Sequence, residues 1–308
     1  MSIKNIKHVI ALLRLLAHMP LGILYFFSDI GFVIVYYIIR YRRSVVRKNL
    51  VNSFPEKSLQ EIISIEKKFY HSLCDICVES FKCLHISDEE LLKRVDVQNT
   101  ELVEATANAG QSIVMFMGHC GCWEWVQEIT VRYKNPTISG EIYKHITTPL
   151  VQEIMTAVRR RWNTELVEIQ QSVRTILRLH KEGKPFLFGF ISDQRAFSPK
   201  KCWTSFMHQY SDFAMGGEEI AQRIGAKMVY LDIERTKRGH YRFTFMDINP
   251  ENMDTTLPYT KEFYRMLEKN IRRQPEIWLW SHNRWKVCDD YKVYYEPILQ
   301  ERDKVILN

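Results

Sequence analysis

Hydrophobic positions change their period along this chain. From Val9 to Ile39 they are almost continuous, broken by Arg14, His18, Pro20 and the Ser28-Asp29 pair. From Leu59 to Leu84, and again from Asp88 to Arg94, they recur at helical spacing, with Ser87 placed to cap the second helix. Farther on, apolar runs of strand length stand at Ile113 to Met117, Ile138 to Tyr143, Phe186 to Ile191, Lys227 to Ile233 and Tyr241 to Ile248. Helical stretches separate them, at Pro149 to Arg161, Ser172 to Lys181 and Gly217 to Ile224. This alternation predicts an α/β fold, a mixed, largely parallel sheet flanked by helices, behind an N-terminal membrane-associated helical segment. No repeat, low-complexity tract or Gly/Ser-rich linker interrupts it, so two parts are expected: 1–48 as anchor and basic flank, 49–308 as one catalytic domain.

Leu21 to Ile39 alone would extend about 28 Å as a helix, close to the thickness of a bilayer core. The stretch is too long for a signal peptide, and no small-residue cleavage site precedes the cluster Arg40, Arg42, Arg43, Arg47 and Lys48. That cluster outweighs Lys4 and Lys7 on the other side, which is expected to keep the following domain in the cytoplasm. The break at Met19-Pro20 leaves a second arrangement open, two shorter helices lying in the interface without crossing it.

Composition narrows the function. With 46% hydrophobic and 26% charged residues the chain is a folded protein with a large core. Its 43 Lys and Arg against 36 Asp and Glu favour anionic partners, such as phospholipid headgroups, phosphorylated sugars or acidic carriers. No nucleic-acid motif or clustered basic stripe is present, so nucleic acid is not expected as a partner. Seven scattered cysteines do not form a disulfide framework. Cys74 and Cys77 with His119, Cys120 and Cys122 sketch a zinc site. However, the CxxC pair falls on an apolar helical stripe with Phe69, Leu73, Val78 and Phe81, and no second spaced pair completes the set. No metal and no cofactor are expected.

The chemistry concentrates where the run Ile113 to Met117 breaks at Gly118 and delivers His119, with Glu124 five residues on. Imidazole suits proton removal at neutral pH, and a carboxylate can fix its tautomer and stabilise the imidazolium. On a continuous helix the two positions would lie roughly 140° apart, so the pair requires a backbone bend, which Gly118 and Gly121 permit. Ligands in such sheets sit beyond the carboxyl ends of strands, where both His119 and Ser192-Asp193-Gln194 fall.

Further motifs follow in order: Gly140-Glu141-Ile142-Tyr143-Lys144, Arg159-Arg160-Arg161-Trp162-Asn163, Ser192-Asp193-Gln194, Gly216-Gly217 leading Ile220 to Ala226, and the box Trp278 to Lys286. With Asn49-Leu50 to Phe54-Pro55 and the apolar N-terminus, this order resembles the bacterial lipid A late acyltransferases, within the lysophospholipid acyltransferase superfamily, over nearly the whole chain. The resemblance implies catalytic His119 and Glu124, an acyl carrier protein as acyl donor and a lipid A precursor as acceptor. It implies acceptor-binding cations at Lys144, Arg159 and Arg161, and places Asp193 near the cleft, holding an arginine or the acceptor. In that reading His119 deprotonates the acceptor hydroxyl, Glu124 orients the ring, and amides of the Gly118 to Trp123 turn hold the oxyanion. No acyl-cysteine at Cys120 or Cys122 is required. Where better-known members read Tyr-Arg-Pro, this chain has Tyr143-Lys144-His145, a point charge in place of a planar clamp. The tryptophan box reads as core strand and interface anchors. Another glycolipid or aminolipid acceptor, or a noncatalytic membrane lipid-binding protein, are the competing readings.

Overall fold

The computed structural model describes residues 3–132, 138–196 and 201–285. Lys286, the last residue of the tryptophan box, lies outside them, as do the side chains of Lys4 and Lys7. The helices described are α1 (Ile3–Leu16), α2 (Leu21–Val33), α3 (Arg43–Ser53), α4 (Leu59–Lys82), α5 (Asp88–Arg94), α6 (Thr100–Asn108), α7 (Glu128–Arg132), α8 (Pro149–Arg159), α9 (Ser172–Lys181), α10 (Gly216–Ile224) and α11 (Pro258–Arg273). The strands are β1 (Val95–Gln98), β2 (Ile113–Met117), β3 (Ile138–Tyr143), β4 (Glu165–Glu168), β5 (Phe186–Ile191), β6 (Lys201–Phe206), β7 (Gln209–Ala214), β8 (Lys227–Lys237) and β9 (His240–Asp247).

Seven strands form one sheet in the order β1-β9-β8-β2-β5-β3-β4. Every neighbouring pair is parallel except β8 with β9. The expected α/β architecture is therefore present. β2 occupies the centre, and all five of its residues are buried, as a strand covered on both faces requires. Its parallel neighbour β5 is nearly as apolar, with Met117 opposite Ile191, so the two chains leave the sheet side by side. The short edge strands β1 and β4 and the β6–β7 hairpin, a separate two-stranded unit, add to the five strands expected.

The N-terminal segment packs into the same core as the sheet. Leu21, Leu24 and Tyr36 are buried together with Val46, Leu50 and Phe69. The expected boundary between residues 48 and 49 falls inside α3. α2 runs into a single π-helical turn, Ile34–Ile38, and the chain then reverses through left-handed Arg40 and Arg42. Along their inner face α2 and the π-helical turn are joined to α4 by polar contacts: Tyr25 donates to Glu79 (2.7 Å), Ser28 to Asp75 (2.7 Å) and Tyr36 to Glu66 (3.0 Å). Arg238, between β8 and β9, bridges Asp29 and Asp75 at 2.6 Å each. The break at Met19-Pro20 is held by Lys82, whose ammonium donates to the carbonyls of Ala17 and Met19. Part of the basic cluster also contacts the fold: Arg43 and Arg47 fold back on buried Glu66, and exposed Arg42 donates to the Ser281 carbonyl.

Burial pushes the Glu79 carboxyl up to about 7, against the opposing hydrogen bonds from Tyr241 and Tyr25. A carboxyl raised in the fold contributes most below its unfolded value and loses that contribution as pH rises through the folded one. Glu79→Gln should therefore flatten the pH dependence of the melting temperature between about pH 4.5 and 7, removing a slope worth roughly 3 kcal/mol over that range. Differential scanning calorimetry at several pH values checks it; parallel curves for the two proteins would refute it.

Candidate active site

The central strand β2 ends at Met117, and the next four residues turn sharply under two packing constraints. A side chain at Gly118 would strike Leu267 of α11, with its first carbon 2.6 Å from Cδ1. Gly121 takes a positive φ of 53° and lies against the ring of Tyr241, where only glycine fits without strain. The turn is then fastened to the tryptophan box: Gly121 N–H donates to the Ile277 carbonyl (2.9 Å), Leu279 N–H to the His119 carbonyl (3.1 Å), and Cys120 pairs with Trp278.

On the neighbouring strand, Ser192 N–H donates to the Met117 carbonyl at 3.1 Å, which brings Asp193 beside His119. The Asp193 carboxylate accepts three hydrogen bonds. His119 Nδ1 lies 2.5 Å from Oδ1, while Oδ2 accepts from the His119 backbone N–H (2.8 Å) and from Trp278 Nε1 (2.7 Å). Burial on its own would raise this carboxyl; the adjoining His119, together with its hydrogen bonds and that of Trp278, outweighs burial and holds Asp193 below the usual carboxylate range. With its Nδ1 proton on Asp193, the ring offers the Nε2 lone pair to the cavity, where the Gln194 amide nitrogen approaches to 3.3 Å.

Glu124 is occupied differently from expectation. Gly121 leads into a 3₁₀ turn, Trp123–Gln127, that carries the Glu124 carboxylate to Arg159. Arg159 Nε and Nη2 bind it in a fork at 3.0 and 2.7 Å, and Trp123 Nε1 adds a bond of 3.0 Å. The expectation that Glu124 orients the His119 ring is corrected: that bond belongs to Asp193, placed there by the pairing of β2 with β5. Arg159 also meets Glu141 at 3.4 Å, so one guanidinium stands between two carboxylates. Burial raises the Glu141 carboxyl, and the Arg159 charge counters that shift. Arg159 is consequently a partner of the cleft's own acids before it is a clamp for substrate.

His119, Glu124, Lys144, Arg159, Gln194 and Arg195 line one cavity of about 460 Å³ together with apolar Met115, Leu187, Val173 and Ile220. That size and mixture suit a ligand with a long hydrocarbon portion and a polar end. Arg161 does not join them. Two residues past Arg159, beyond the end of α8, it donates to the Cys83 carbonyl (2.8 Å) and stacks on Trp162, which corrects its expected place in the acceptor site. The oxyanion expectation also changes. The amides of His119, Cys120, Gly121 and Trp123 are bonded to Asp193, Gly118, Ile277 and Gly121 respectively. Cys120 and Cys122 are completely buried, and burial holds both thiols well above the ordinary cysteine range, which suits packing rather than nucleophilic attack. Trp278 and Trp280 of the tryptophan box are buried in the core, as expected, but the segment forms an isolated bridge and turns rather than the expected strand, and Trp278 also supplies a bond to Asp193.

Residues 5–287 match the family model described as bacterial lipid A biosynthesis acyltransferase. The chain belongs to that family. This acyltransferase is 23% identical over 252 residues to the lipid A biosynthesis palmitoleoyltransferase of Escherichia coli (strain K12), covering 80% of its own length and 79% of the relative's. The same identity and coverage relate it to the lipid A biosynthesis acyltransferase of Shigella flexneri.

Removing one partner of a buried ion pair leaves the other charge uncompensated, at a cost of about 3 to 5 kcal/mol. In the acyltransferase, Arg159→Met leaves the buried Glu124 carboxylate without its guanidinium fork. Its denaturation midpoint should fall accordingly, and Arg159→Met/Glu124→Gln should recover part of the loss. Chemical denaturation of the two variants checks this; a single variant as stable as the wild type would contradict it.

Proposed function

We propose that this acyltransferase moves a fatty acyl chain from an acyl carrier protein to a hydroxyl of a lipid A precursor, with His119 as general base. The observation that carries the reading is the 2.5 Å bond from buried Asp193 to Nδ1 of His119, whose side chain lines the cavity. His119 Nε2 takes the acceptor O–H proton, the oxygen attacks the thioester carbonyl, and the tetrahedral adduct expels the carrier thiolate. That sulfur then receives the proton from Nε2, which restores the neutral ring. Asp193 offsets the imidazolium during the step, and Trp278 holds Asp193 in place. Glu124 acts through Arg159: its two bonds occupy Nε and Nη2, leaving the Nη1 end of the guanidinium as a donor for the oxyanion. Lys144 and Arg195, which also line the cavity, provide positive charge for the phosphates of the acceptor. The N-terminal segment attaches the enzyme to the inner membrane, with the catalytic domain on its cytoplasmic side.

The test is transfer by the purified enzyme, followed by mass spectrometry of lipid A from a deletion strain carrying each variant. His119→Ala should lower kcat by about 10²- to 10⁴-fold. Asp193→Asn, which keeps the shape but misassigns the ring tautomer, should cost about 10³- to 10⁴-fold. Both variants should lose one acyl increment from lipid A. Full acylation by His119→Ala, with no redundant enzyme present, would support a lipid-binding role and overturn the catalytic one; transfer to a different glycolipid or aminolipid alone would keep the chemistry and change the acceptor.

A further inference from the structure

The outer face of the N-terminal helices is as apolar as their inner face is tied down. Ile23, Phe26, Phe27, Ile30, Val33 and Tyr37 recur at intervals of three and four residues and are all exposed, and α1 carries exposed leucines as well. Such a stripe on a monomer calls for a partner. The inner face meets α4 from Leu24 to Tyr36, through the bonds of Tyr25, Ser28 and Tyr36 to buried carboxylates and the Arg238 bridge to Asp29.

Those bonds decide how the surface meets lipid. If α2 crossed a bilayer in this arrangement, α4 would be drawn to the same depth, with its exposed Lys67 and Lys68 and the half-exposed Asp29 and His71. A lysine or aspartate at hydrocarbon depth is costly unless it is paired or reaches water. Freeing α2 instead would take one donor from each of the buried carboxylates Asp75, Glu79 and Glu66 and break the Arg238 bridge to Asp29. We infer that α1 and α2 do not cross the membrane but lie along one leaflet as a monotopic docking face, apolar side chains among the acyl chains. This rests on the membrane attachment proposed above and specifies its geometry. Charge complementarity selects lipid over a second copy of the chain: exposed Arg14, Arg40, Arg42 and Lys48 border the stripe, favouring anionic headgroups and repelling their own duplicates.

Epitope tags on the N- and C-termini of the full chain test the topology. In spheroplasts treated with external protease both tags should resist until the cells are lysed; cleavage of the N-terminal tag alone would establish a crossing and overturn the inference. Vesicles of phosphatidylethanolamine and phosphatidylglycerol, free of lipid A, test the face itself. Phe26→Ser/Phe27→Ser/Ile30→Ser should float at least tenfold less than the wild type, with circular dichroism and transfer to detergent-dispersed acceptor retained. Flotation equal to the wild type would also overturn it, as would a variant that changes only from dimer to monomer. Absence of transfer by the wild type in detergent, with flotation intact, would sink the proposed reaction and leave the docking face standing.

Discussion

Asp193 receives three hydrogen bonds on one buried carboxylate, and much of the molecule is arranged around keeping it there. A carboxylate removed from water is costly unless donors replace its hydration. Here three donors come from two places in the chain: the ring and backbone of His119 after the central strand, and the indole of Trp278 from the C-terminal box. Because each donor satisfies the same group, shifting any one of them uncovers the charge. Turn, strand exit and box are thus positioned by a single polar requirement at the end of an apolar sheet.

The box transmits that requirement outward. Asn49 of α3 donates to the carbonyls of Trp280 and His282, Arg284 makes a buried ion pair with Asp212 of the β6–β7 hairpin, and Trp285 donates to Ser211. The segment after the apolar helices, the hairpin and the catalytic turn therefore meet at one aromatic cluster. A second charge system sits across the cavity, where Arg159 joins Glu124 to Glu141. Keeping the two systems separate leaves His119 with one carboxylate partner and the cleft with a guanidinium already oriented by its own bonds.

The sheet was legible wherever a strand is covered on both faces: β2, β5 and β8 read as continuous apolar runs. The edge strands were not, since Val95–Gln98 carries a polar residue at every second position, Glu165–Glu168 begins and ends on glutamate, and each spans only four residues. In α11 the buried Phe263, Tyr264, Leu267 and Ile271 are interleaved with so many charged residues that the helix escaped notice. At the site, His119 and Asp193 were both visible as strand ends, but their contact depends on β2 lying next to β5, a relation that no local pattern encodes. Glu124, only five residues from His119, looked like the natural partner for that reason. Arg161 shows the complementary error, because two residues beyond Arg159 at the end of α8 was enough to direct it away from the cavity.

The central claim is that Asp193, and not Glu124, holds the proton on Nδ1 of His119. A proton in so short a bond to a carboxylate is shielded from solvent exchange and resonates far downfield. One-dimensional proton NMR of the detergent-solubilised enzyme reads it directly. The wild type and Glu124→Gln should show a downfield resonance that is absent from Asp193→Asn and His119→Ala. A resonance that survives in Asp193→Asn and vanishes in Glu124→Gln would assign the bond to Glu124 and contradict this account.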